Sequence, residues 1–112
     1  MALLHADYSL KDFDEVARNI GLKPEHWPMI IKLFHDESSK IITMLQEAIE
    51  SKNYEDIKLH AHSIKGSAGN LQFKEISKMA EDIESASENR DTDFQYNTHV
   101  ESIKKLILTI PL

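Results

Sequence analysis

The sequence predicts an all-α protein: an antiparallel four-helix bundle with a short extra helix at the N-terminus. Two observations carry this. Apolar residues recur at i, i+3, i+4 and i+7 in one stretch after another, and β-branched residues keep that spacing rather than alternating as strands require. The breaks between stretches are short, which makes successive helices antiparallel neighbours. With 112 residues, 41% of them hydrophobic, 29% charged and no internal repeat, residues 1–112 are expected to form one domain with a core of its own.

Met1 to Tyr8 reads as a lead-in, with His5 an incidental surface residue. Ser9 is placed to start the first helix, with Asp12 three residues on in a loose capping box. Leu10, Phe13, Val16, Ala17 and Ile20 form its apolar stripe, Gly21 ends it, and this short helix should lie across one end of the bundle. Pro24 and Pro28 bracket the next start, and the second helix is expected from Met29 to about Ser51. Ile30, Phe34, Ile41, Leu45 and Ala48 share one arc, and Ile31, Ile42 and Ile49 a second one about 100° round. So wide a stripe suits two helical neighbours, or leaves apolar surface for a partner. His35-Asp36-Glu37 is not a metal cluster, because adjacent residues on a helix face different directions.

After a break at Ser51-Lys52-Asn53, the third helix runs from about Tyr54 to Leu71, with Ile57, Ala61, Ile64, Ala68 and Leu71 facing the core. His62 falls about 140° from the centre of that arc and points to solvent, whereas His60 turns toward the core side. Lys65, Gly66 and Gly69 share the outward stripe with His62. Two glycines inside a helix each cost about 0.5–1 kcal/mol relative to alanine. They either leave bare helix for a partner's close approach or permit tight helix–helix packing. An exposed imidazole with a lysine one turn away can act as a nucleophile toward a phosphoryl group, the ammonium offsetting charge on its oxygens.

A fourth helix is expected over Lys74 to Ser87, with Ile76, Met79, Ala80 and Ile83 inward and Glu84 beside them. A polar loop from Glu88 to Asp93 precedes a last helix from about Thr92 to Leu108. Its inward residues are Tyr96, Val100, Ile103, Leu106, Ile107 and Ile110, and His99 is a boundary residue.

The stretch A-H-S-I-K-G-S-A-G-N-L resembles the signature of histidine-containing phosphotransfer (HPt) domains, the relay modules of multistep two-component signalling. His62, Ile64, Lys65, Gly66, Ser67, Ala68 and Leu71 match it in register, and the likeness extends from about Met29 to Ser87. The final glycine of the signature is Gln72 here, which bears on how the helix ends. The resemblance implies that His62 accepts a phosphoryl group from the aspartyl phosphate of one response-regulator receiver and passes it to another. Lys65 would stabilise charge, and Gly66 and Gly69 would lie in the docking surface. In some relatives the position 22 residues after the histidine bonds the other imidazole nitrogen. Glu84 would then accept from Nδ1–H of His62 and leave Nε2 as the nucleophile; otherwise it is a solvated glutamate among Glu81, Asp82 and Glu88.

The partners implied are receiver domains and a hybrid sensor kinase, with no cofactor beyond the Mg²⁺ the receiver supplies. No nucleotide loop or kinase signature is present, so the chain is expected to be a phosphocarrier rather than an autokinase. The alternative is a helical interaction module whose histidine is never phosphorylated. A metal-binding bundle would need inward-facing His and carboxylates, and the core stripes are apolar. A net charge of −6 and the absence of cysteine argue against nucleic-acid, disulfide and thiolate–metal roles. With no signal-peptide pattern or membrane-span run, a cytoplasmic monomer is the expectation.

Overall fold

A computed structural model describes Tyr8 and residues 12–111. It contains helices α1 (Phe13–Asn19), α2 (Trp27–Glu50), α3 (Tyr54–Asn70), α4 (Lys74–Glu88) and α5 (Tyr96–Leu108), with a 3₁₀ turn at Pro24–His26 leading into α2. Helices α2 to α5 pack as a ring, α2 against α3, α3 against α4, α4 against α5 and α5 back against α2. This is the antiparallel four-helix bundle with a short N-terminal helix that the periodicity predicts, and the described residues include no strand.

Local signals explain the ends. The N-cap of α1 is Asp12, whose side chain accepts from the Glu15 N–H. Asp12 therefore caps the helix rather than sitting inside it; Ser9, Leu10 and His5 lie outside the described residues. Gly21, at φ +80°, closes α1: its own N–H donates to the Arg18 carbonyl and the Leu22 N–H to the Ala17 carbonyl. That is a Schellman ending with glycine in the left-handed position. Helix α2 starts two residues before Met29, because Pro28 is tolerated in its first turn, where no intrahelical N–H is required. Helix α5 starts four residues after Thr92. The Asp91 side chain accepts from the Asp93 N–H and the Asp91 carbonyl from the Tyr96 hydroxyl, which holds this segment in a turn.

The buried seam of α2 is Trp27, Ile31, Phe34, Ser38, Ile42, Leu45 and Ala48. It runs between the two expected arcs, leaving Ile30, Ile41 and Ile49 half-buried at its borders. Ser38 is tolerated there because its hydroxyl donates to the His35 carbonyl within the same helix. An aromatic cluster seals the end of the bundle where α2 begins and α3 turns into α4. Fully buried Phe73 meets Tyr8 at 4.8 Å and Phe34 at 5.3 Å between ring centroids, and Phe13 stacks on Trp27 at 5.3 Å. Helix α1 thus covers one end, as expected of it.

Candidate functional site

The third helix presents its middle to solvent. Asn53 caps it by accepting from the Asp56 N–H, and Ile57, Ala61, Ile64 and Ala68 pin the opposite face into the core. His62 therefore stands outward with its side chain 64% exposed. His60, two residues earlier, is half-buried.

Glu84 reaches across from α4. Its Oε2 lies 2.7 Å from His62 Nδ1 and its Oε1 lies 2.7 Å from Lys65 Nζ. One carboxylate thus ties together two side chains a turn apart on α3. Only 14% of the Glu84 side chain is exposed, so it is not one solvated acid among several. Burial works to raise its pKa, but the hydrogen bonds from Lys65 and His62 outweigh it and hold Glu84 below the ordinary carboxylate range. A carboxylate ionised at neutral pH can only accept. The proton at this contact therefore belongs to His62 Nδ1, and in the neutral ring it is Nε2 that carries the lone pair. The same hydrogen bond to Glu84 holds the Lys65 ammonium above its ordinary value, helped by the charge of Glu81. One of the three Lys65 donors is thereby committed to Glu84 rather than directed beside the ring.

The two glycines differ. A Cβ at Gly66 would meet nothing within 4 Å, so no helix–helix contact requires its absence; a Cβ at Gly69 would reach the Ser77 hydroxyl at 3.4 Å, an ordinary contact. Gly66 is open surface, and Gly69 lies toward α4. Ser77, which hydropathy alone does not single out, donates its hydroxyl to the Lys65 carbonyl at 3.0 Å and ties α4 to the turn that carries Lys65. The signal was available: Ser77, Glu81, Glu84 and Glu88 fall on one face of α4 at i, i+4, i+7 and i+11. Glu55, Lys58, Leu59, His62 and Glu84 line a shallow depression beside the imidazole. Leu59 is 58% exposed there.

The turn after α3 is closed by Gln72 at φ +63°, with the Gln72 N–H donating to the Gly69 carbonyl and the Phe73 N–H to the Ala68 carbonyl. Gln72 thus takes the left-handed position that the signature fills with glycine. Elsewhere, His99 packs its ring 4.4 Å from Phe94, a boundary residue as expected. Among the described residues no three His, Asp or Glu side chains converge on one point, and no helix is long and apolar enough to cross a membrane.

The class this architecture defines is a helical bundle that displays its polar cluster on the outside of one helix instead of enclosing it. The family model of the Hpt domain matches residues 29–106, more than half of the chain, and the chain belongs to the Hpt-domain family. No curated protein and no solved structure matches it significantly. Hpt domains serve phosphorelay signalling as phosphocarriers rather than enzymes, working with receiver domains and kinases.

Proposed function

We propose that His62 Nε2 is the phosphoryl acceptor and donor of a phosphorelay, exchanging the group with receiver-domain aspartates. The observation that carries this is the hydrogen bond from Nδ1 to Glu84. It fixes the tautomer and leaves Nε2 as the nitrogen free to attack, on the exposed side of an otherwise anchored ring.

In the forward step Nε2 attacks the phosphorus of an aspartyl phosphate. The P–N bond forms as the P–O bond breaks, and the aspartate leaves as a carboxylate. The Nδ1 proton stays on the ring, so the phosphorylated imidazole becomes cationic and is paired with Glu84. Return transfer runs the same step backward. A loose phosphoryl transition state asks mainly for alignment and charge stabilisation. Glu84 supports the ring's developing positive charge, and the two uncommitted Lys65 donors serve the phosphoryl oxygens. Gly66 leaves the approach unobstructed. The receiver contributes its own Mg²⁺.

The test is transfer of label from a phosphorylated receiver domain to the wild type and to His62→Gln. Label should reach the wild type alone, acid-labile and alkali-stable as a phosphoimidazole is. His62→Gln should keep the helical circular-dichroism spectrum, since the side chain is mostly exposed. Label on the variant would remove His62 from the role.

A further inference from the structure

We infer that Lys58 is a second phosphoryl-binding residue, a cation that meets the incoming group from the side opposite Lys65. This rests on the assignment of His62 as the acceptor and goes beyond it. Lys58 lies four residues before His62, on the same helix face. Side chains on a helix lean toward its N-terminus, so the His62 ring lies over the turn that carries Lys58 and Leu59. Lys58 and His62 accordingly line the same depression.

The two lysines differ in how firmly they are held. Lys65 gives a 2.7 Å bond to a largely buried carboxylate that also holds the ring. Lys58 pairs only loosely, at 3.3 Å, with Glu88, and the two side chains are 46% and 62% exposed. An exposed pair of this kind is weak and exchanges readily with water. A dianionic phosphoryl group beside Lys58 is a stronger partner than one solvated carboxylate. The phosphoryl group arriving at Nε2 therefore recruits Lys58 from Glu88, whereas drawing Lys65 away would break the tether that orients the imidazole.

Potassium phosphoramidate tests this without any docking surface. The His62 Nε2–P bond forms as the P–N bond of phosphoramidate breaks, and ammonia leaves. Phosphohistidine formation is followed by phosphorus NMR and intact mass on the full chain. Lys58→Met should slow it about fivefold at low ionic strength, the factor a unit charge near 4 Å gives in a medium as polar as water, and the gap should close as salt is raised. Lys58→Arg should keep the wild-type rate. Glu88→Gln should be at least as fast as wild type, with any gain lost in the Lys58→Met background. A Lys58→Met rate equal to wild type at low salt overturns the inference while leaving His62 as the acceptor. So does a Glu88→Gln variant as slow as Lys58→Met, which would make the ion pair merely structural. A wild type that takes phosphate neither from phosphoramidate nor from a phosphorylated receiver overturns both assignments.

Discussion

Glu84→Gln separates an orienting carboxylate from a merely structural one. The substitution keeps the shape of a side chain that is 14% exposed, but removes the charge that receives bonds at 2.7 Å from His62 Nδ1 and Lys65 Nζ. The amide can still accept one bond through its oxygen, while its NH₂ faces the other donor. Hydrogen bonds to ionised groups contribute about 1.5–3 kcal/mol when their partners cannot turn to water. His62 is 64% exposed and Lys65 31%, so both re-solvate, and the net loss of stability should be about 1 kcal/mol. The kinetic effect is larger. When Nε2 bonds to phosphorus the ring becomes cationic next to Glu84, and loss of that pairing should cost about 1.5–3 kcal/mol in the transition state, a slowing of about tenfold to a hundredfold.

Single-turnover transfer from a phosphorylated receiver reads the rate, and NMR of the phosphorylated imidazole reads which nitrogen carries phosphorus. Wild type should carry it on Nε2 alone; Glu84→Gln, with its tautomer no longer fixed, should be slow and show some of the Nδ1 isomer. Stability against pH gives an independent reading. Burial raises the folded-state pKa of Glu84, but the Lys65 and His62 bonds outweigh it and hold the group below its ordinary value of 4.5. Its contribution is therefore present above about pH 4.5 and disappears as pH falls through the lower folded value. The wild type's advantage over Glu84→Gln should vanish in that acid window. Wild-type transfer rate with Nε2 phosphorylation in Glu84→Gln would refute the argument that this carboxylate orients the ring.

Two further outcomes test the surface and the turn. Gly66→Leu should be up to about 1 kcal/mol more stable, because the position is helical and open; it should take phosphate from phosphoramidate normally yet from a receiver about tenfold more slowly, and equal receiver rates would remove Gly66 from the docking surface. Gln72→Gly relieves a left-handed residue at φ +63°, whose cost of about 1–2 kcal/mol is partly offset by the entropy of an added glycine. Its melting midpoint should lie a few degrees above that of Gln72→Ala, which loses the same side chain but keeps the left-handed strain.

The helices were legible because periodicity survives almost any detail of packing; their borders and seams were less so. Ser38 and Ser87 are buried, and each turns its hydroxyl back onto its own helix. A hydropathy pattern therefore counts them as surface and displaces the seam. The endings of α2, α3 and α4 were similarly muted. Lys52, Gln72 and Arg90 occupy the left-handed C′ positions at φ 55°, 63° and 51°, where glycine would have announced the stop. Only Gly21 gave that signal.

At the site, spacing along α3 shows that His62, Lys65 and Gly66 share a face, but not what stands opposite. That depends on the register between α3 and α4, which no single helix encodes. The turn sets it: Gln72 reverses the chain, and Phe73, fully buried against Tyr8 and Phe34, fixes where α4 departs. From there the antiparallel pairing repeats every turn. Four residues back along α3 and four forward along α4, the His62–Glu84 contact becomes Lys58–Glu88. The family likeness offered the Glu84 offset without a physical reason for it. The turn supplies that reason, and the same register brings Lys58 and Glu88 together at the edge of the imidazole site.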